Sequence, residues 1–349
     1  NQLTHLDLSD CKLVISDKTM FNDLKHLKHL NFSEVRLDDQ VLPGLFGELK
    51  QLESLILMCL TFEPTQDAFI HLENLKELHF LKIEIPNECS NIFAPLKSLQ
   101  KLEMGETNTF NYDAFRRVNK NLRELTLYFL PTIEIDANFF DSQMNLEYLN
   151  LSCLNSSDSN SNPNDKYCID LKALANLTAL KSLILENNNL NLEDCETIFS
   201  LENLEHLDLS LFDRNKFKKR ELKLNEKTFK RMTNLKHLNL SGNQIKLEGN
   251  CFKHLPSLIE LDLSRTISDS NSKYVDILSS LKQLEKFKFD GIEPCESFQL
   301  YRLAELVNLK ELHLRVTQHD LDQFGATTRR REPFETSNPT ADYLCGVIL

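Results

Sequence analysis

The 349-residue sequence contains no tryptophan, only 8 glycines and no apolar run near the roughly twenty residues that a membrane helix requires. The shortage of glycine leaves phosphate-cradling loops poorly supplied. No phosphate-binding loop, hydrolase nucleophile elbow, zinc-protease helix or dinucleotide fingerprint is present. No catalytic residue and no cofactor are therefore expected, and the chain reads as non-enzymatic. Basic residues are also in the minority, 40 against 52 acids, for a net charge of −12. That balance argues against general nucleic-acid binding, which needs cations to displace phosphate counterions, and against an anionic membrane surface. The nine cysteines are scattered without a C-x-x-C pair, so no metal site is expected. The chain starts at Asn1 and is inside its pattern by Leu3, which reads as a piece of a longer or processed protein.

What the sequence has in excess is leucine, placed with a period. The pattern L-x-x-L-x-L begins at Leu3, Leu27, Leu52, Leu75, Leu99, Leu122, Leu146, Leu180, Leu204, Leu235, Leu258, Leu284 and Leu309. Ten of the twelve intervals fall between 23 and 26 residues. The alternation at the end of each motif, as in Leu6-Asp7-Leu8, has the period of a half-buried strand. Ahead of many motifs stands a second phrase, F-x-x-L-x-x-L, seen in Phe21-Leu24-Leu27, Phe69-Leu72-Leu75 and Phe229-Met232-Leu235. Its three-residue spacing predicts a helical or 3₁₀ return to the next strand, with the phenylalanines stacked as a spine. The expected fold is thus an α/β solenoid with one short parallel strand per repeat and short helical turns on the opposite side.

These residues resemble the 24-residue leucine-rich repeat of extracellular proteins, Toll-like receptor ectodomains being the nearest group. The resemblance implies a curved horseshoe with the sheet on its concave face. It also implies recognition of a protein or microbial ligand on the concave or lateral face, dimerisation in the parent receptor, and an extracellular or cell-surface location. A secreted adhesion or matrix protein and a cytoplasmic adaptor that selects ubiquitin-ligase substrates are the alternatives. The family usually places Asn three residues after the last leucine of the motif, and here only Asn188 and Asn243 occupy it. Cys11, Thr107, Thr266 and Thr317 can substitute there, whereas Val35, Leu60, Ile83, Leu130, Leu154, Phe212 and Ile292 cannot. An irregular coil is expected.

The repeat array is assigned to residues 1–315, with insertions near 155–167 and 212–222, and residues 316–349 are read as a non-repeat tail, disordered or capping. The first insertion is a polar run that cannot bury anything. Cys153 and Cys168 flank it, and a disulfide between them would stabilise by on the order of 3 kcal/mol; two unrelated thiols is the other reading. The second insertion holds a basic island, Arg214 to Arg220, read as a solvated loop in preference to a docking site.

With the leucines committed to packing, recognition is sought at the outward positions of the strands. At both ends of the array these are small and polar. In the middle, Ile56, Met58, His79, Leu81, Tyr128, Phe129 and Tyr148 place apolar and aromatic groups where solvent is expected. Such a cluster has the composition of a binding hot spot. Glycosylation sequons occur at Asn31, Asn150, Asn155, Asn176 and Asn239. Three of them, Asn31, Asn150 and Asn239, belong to the strand phrase N-x-S, and Asn155 in the polar loop is the favoured acceptor.

Overall fold

The computed structural model describes the chain except for residues 1, 12, 38–43, 60–63, 131–132, 155–168, 189, 191–194, 212–220, 267–277, 279, 290–304, 318–342 and 348–349. It divides into two compact units. The first comprises 1–180 with 188–190, and the second comprises 181–187 with 191–349. The loop cysteine Cys168, the sequon Asn155 and the basic island Arg214–Arg220 lie outside the described residues.

Each of the thirteen motifs carries a strand. In the first unit, neighbouring strands pair in parallel with the central leucines in register, Leu6 against Leu30, Leu30 against Leu55, and onward through Leu78, Leu102 and Leu125 to Leu149. The second unit repeats this from Leu183 through Leu207, Leu238 and Leu261 to Phe287 and Leu312. Period-two alternation sends these residues inward, and the leucines of interior repeats are essentially inaccessible. Burying each contributes about 1.5–3 kcal/mol, which explains why one apolar solution recurs.

The F-x-x-L-x-x-L phrase forms a chain of single turns. Leu24 N–H donates to the Phe21 carbonyl and Leu27 N–H to the Leu24 carbonyl, both at 2.9 Å, and the pattern recurs at Phe46, Phe69, Phe93, Phe229 and Phe252. The spacing of three in the sequence is therefore the spacing of i→i+3 hydrogen bonds. Continuous helix is confined to short pieces, such as Tyr112–Arg116 and the 3₁₀ turns Leu171–Leu174 and Cys251–His254. The phenylalanine spine is present: Phe21 and Phe46 stack 6.3 Å apart, Phe69 and Phe93 6.2 Å, and Phe229 and Phe252 5.8 Å. Phe32 and Phe80, which replace the final leucine of their motifs, wedge edge-on into the first two stacks.

The inner ladder is as depleted as its sequence suggests. Asn188 is fully buried, donating to the Leu151 carbonyl at 2.6 Å and accepting from Leu154 N–H at 2.9 Å. Asn243 donates to the Leu209 carbonyl at 2.8 Å, and Thr266 reaches the Leu263 carbonyl at 2.7 Å. Val35, Ile83, Leu130 and Leu154 fill the same place with buried aliphatic groups. A second ladder compensates on the flank, at the residue just before the motif. Asn74, Asn145, Asn234 and Asn308 each donate Nδ2 to a backbone carbonyl of the preceding repeat, at 2.8, 3.0, 3.1 and 2.9 Å. One residue past the first leucine, charges of opposite sign face each other across repeats. Glu53 meets Lys28 at 2.8 Å and Lys76 at 2.6 Å, and these two ammonium groups hold its carboxyl down to about 2. Glu205 with Lys236 and Glu285 with Lys310 continue the alternation in the second unit.

One turn breaks the apolar rule. In the phase that holds Leu96 and Leu177, Gln143 is fully buried, and its Oε1 has no hydrogen-bond partner. Its amide nitrogen makes two long contacts, 3.4 Å to the Val118 carbonyl and 3.5 Å to the Ser142 hydroxyl. Gln143→Leu restores the repeat residue and removes an unmet acceptor, so stability is expected to rise by about 1–2 kcal/mol, read as a higher urea midpoint at unchanged slope. A lowered midpoint would show that the amide is needed where it is.

In the second unit, Glu221–Asn225 pair in parallel with Gln244–Glu248 as a small separate sheet. Within the stretch read as a tail, Tyr343–Val347 form a strand antiparallel to Glu311–Thr317.

Candidate functional site

The candidate site occupies the outward face of four strands of the first unit, Ser54–Met58, Glu77–Leu81, Lys101–Gly105 and Glu124–Tyr128. In-register pairing turns sequence positions into rows. One row runs Ile56, His79, Glu103, Thr126; the next runs Met58, Leu81, Gly105, Tyr128. Five of the seven residues singled out in the sequence are thereby brought side by side. Tyr148 is half-buried but pairs with Glu124, four residues before Tyr128 on the strand, and stands apart from the cluster. Phe129 lies in the turn after its strand and is 45% exposed.

Burial separates the members further. Ile56, Met58, His79 and Tyr128 are half-buried, while Leu81 is only 8% exposed. Leu81 therefore belongs to the floor of the patch and not to its accessible surface, contrary to its outward phase. Beside it, Gly105 makes room for the neighbouring tyrosine. A Cβ built on Gly105 would stand 2.4 Å from the Tyr128 carbonyl oxygen and 2.9 Å from its ring. The Tyr128 ring thus leans over the glycine, which explains why a solvent-facing tyrosine is partly covered.

Polar groups frame this apolar floor. His79 Nδ1 lies 2.6 Å from Glu103 Oε2, and this hydrogen bond holds the Glu103 carboxyl below the ordinary carboxylate range against the opposing effect of burial. Tyr128 donates its hydroxyl to Glu106 Oε1 at 3.3 Å, and Glu106 also pairs with Lys82 at 3.1 Å. Burial and the two carboxylates of Glu103 and Glu106 push the Tyr128 phenol up to about 12, so it stays a neutral donor at physiological pH. Glu103, Gly105, Glu106 and Lys82 escaped sequence reading. Their signal lay in register, because each stands one repeat from a residue that was singled out.

The turn that follows most of these strands has one demand in common. Asp10, Glu34, Cys59, Lys82, Glu106, Phe129, Cys153, Asn187 and Arg265 all adopt positive φ in the same phase, as does Gly242. Only asparagine, aspartate and glycine suit this conformation, and a side chain in it costs about 1–2 kcal/mol. Phe129 is the one aromatic among them.

The second unit presents a different face. Asp208 and Asp262 each accept from the N–H of a serine two residues on, and Asn239 donates to Asp208 at 2.8 Å. Lys288 bridges to Glu260 at 2.9 Å, and His206 stacks on His237 at 5.6 Å. Burial, reinforced by His237, lowers the pKa of His206. Charges and hydroxyls here satisfy one another, leaving no apolar floor among the described residues. Of the sequons, Asn31, Asn150 and Asn239 are half-buried in strands and accept hydrogen bonds from Ser33, Ser152 and Ser241, whereas Asn176 is exposed on a turn. No group of three or more metal-ligating side chains is gathered among the described residues.

Comparison with known proteins agrees with this architecture. Residues 220–267 match the family model described as leucine rich repeat. No curated protein matches the chain. Among solved structures it is similar to an internalin, inlF, of Listeria monocytogenes, at 18% identity and a TM-score of 0.55, over 83% of this chain and 81% of that one. It is similar to TLR13 in a complex with ssRNA13, at 22% identity and a TM-score of 0.62, over 92% of this chain and 45% of that one. The Toll chain of the Drosophila Toll–Spatzle complex shows 16% identity and a TM-score of 0.49, over 88% of this chain and 47% of that one. The chain has the leucine-rich repeat fold. Its fold resembles that of Toll-like receptor ectodomains, and it spans less than half the length of the TLR13 and Toll chains. No helix among the described residues is long and apolar enough to cross a membrane.

Proposed function

We propose that the chain is a recognition scaffold whose partner is a protein, bound on the sheet face of the first unit, and that it forms the repeat array, residues 1–315, of a cell-surface or secreted innate-immune receptor of the Toll-like kind. The observation that carries this reading is the half-exposed apolar and aromatic cluster of Ile56, Met58, Tyr128 and Phe129 around a buried Leu81. Contiguous apolar groups rimmed by polar ones are what binding surfaces require and what a solvent-facing strand otherwise avoids. The net charge of −12 and the glutamates around the patch favour a protein over a nucleic acid.

The test compares the intact chain with a variant carrying Ile56→Ser, Met58→Ser and Phe129→Gly, immobilised and exposed to the secreted proteins of the source tissue. A protein captured by the intact chain is expected to be lost from the variant while the circular dichroism spectrum is unchanged. Phe129→Gly alone should hold stability within about 1 kcal/mol, because glycine suits the turn that phenylalanine strains. Capture that survives all three substitutions would remove the sheet face as the binding surface. On the secretory reading, Asn176 is the described sequon best placed to carry a glycan, and Asn176→Gln should then abolish a glycosidase-sensitive mass shift. Secretion without any such shift would count against glycosylation there.

A further inference from the structure

We propose that the corner formed by Tyr128 and Phe129 receives a cationic side chain, lysine or arginine, from the protein partner. The inference deepens the recognition reading above and rests on it. Three independent features converge on this corner.

The first is the backbone. Phe129 holds a φ of 48° and is 45% exposed, so the chain places a bulky ring in water in a conformation that favours glycine or asparagine. The φ is shared with Glu34, Cys59 and Lys82 in the same phase, so what is particular to Phe129 is a half-exposed ring at that place. The second feature is the ring geometry. The Tyr128 and Phe129 centroids lie 5.8 Å apart at an interplanar angle of 71°, so two ring planes meet at a corner beside the patch. The negative potential of an aromatic face attracts a cation seated against it.

The third feature is charge. Glu106 meets Tyr128 through Oε1 and Lys82 through Oε2, and Glu103, in the same row as Thr126, engages His79 through Oε2. Both carboxylates lie close enough to Tyr128 to disfavour its ionisation. Glu103 and Glu106 thus place two carboxylates beside Tyr128, with Lys82 and Lys101 acting on them. An anionic partner group would be repelled there, and a purely apolar one would bury carboxylates without replacing their water. A cation on an aliphatic stem suits this corner, its head against the rings and beside Glu106.

The absence of tryptophan from the chain makes the test direct, because a tryptophan-bearing peptide is then the only indole emitter in solution. Two short peptides, each alternating leucine with a charged residue behind one tryptophan, are titrated by fluorescence anisotropy; one carries arginine and the other glutamate. The arginine peptide is expected to bind at least tenfold more tightly. Glu103→Gln with Glu106→Gln should weaken it about tenfold, Tyr128→Leu similarly, and Tyr128→Phe little. Equal binding of the two peptides, no binding of either, or indifference to the double substitution would overturn the proposal. If binding is lost in Met58→Ser but indifferent to the glutamates, the sheet face stands as the recognition surface and the cation does not.

Discussion

Phe80→Ala is expected to lower the stability of the first unit by about 3–5 kcal/mol, the cost of removing a buried aromatic ring and leaving its cavity. The ring is 1% exposed and stands edge-on to Phe69 at 5.9 Å and to Phe93 at 6.2 Å, so it joins the stacked rings of two repeats. In a solenoid each repeat is held chiefly by its neighbours, and a lesson at one joint is therefore felt locally. The expected observation is a lower urea midpoint by far-ultraviolet circular dichroism, with a shallower transition if the array begins to melt in parts. Phe80→Leu, which restores the ordinary motif residue, should recover most of the loss. A midpoint unchanged by Phe80→Ala would mean that the neighbouring rings close the cavity and that the spine is not a continuous support.

Gly242→Ala is the second large effect, and it has a different cause. Gly242 has φ +75, and a Cβ there would stand 1.7 Å from the carbonyl oxygen of Leu211 and 2.8 Å from its carbonyl carbon. Leu211 holds the same phase in the preceding repeat, yet it is buried and is not among the residues with positive φ. Its carbonyl therefore crowds the next turn. Dihedral strain and backbone overlap together imply a loss of roughly 3–5 kcal/mol. Gly242→Asn separates the two causes, since asparagine tolerates the dihedral but not the overlap. It should be almost as destabilised as the alanine variant. Near-complete recovery with asparagine would assign the cost to the dihedral alone.

The architecture was legible because leucine burial is repeated in every unit and writes itself into the sequence at fixed spacing. All thirteen motifs carry strands, and the three-residue phrase became a chain of three-residue hydrogen-bonded turns. What escaped was whatever depends on the neighbour one repeat away. Phe32 and Phe80 occupy leucine positions and looked like ordinary substitutions, although they wedge between rings about 24 residues apart in the chain. The flank ladder of Asn74, Asn145, Asn234 and Asn308 shares one phase, just before the motif, and compensates for much of the depleted inner ladder. At the candidate site Ile56, Met58 and Tyr128 are half-buried whereas Leu81 is covered, because phase indicates direction and says nothing of what a neighbouring side chain covers. Tyr148 shares the surface of the sheet without joining the cluster, since its row differs from that of Tyr128.

The alternating charges beside the first leucine of ten of the thirteen motifs have a consequence for how such a chain changes length. Glu53 separates Lys28 from Lys76, and Glu205 lies against Lys236. Excising the single repeat that carries Glu53 would bring two lysines to adjacent rungs about 4.8 Å apart. Excising two consecutive repeats would instead restore opposite signs wherever the alternation is strict. The ladder thus acts as a parity check on repeat number, tolerating gain or loss in pairs more readily than singly.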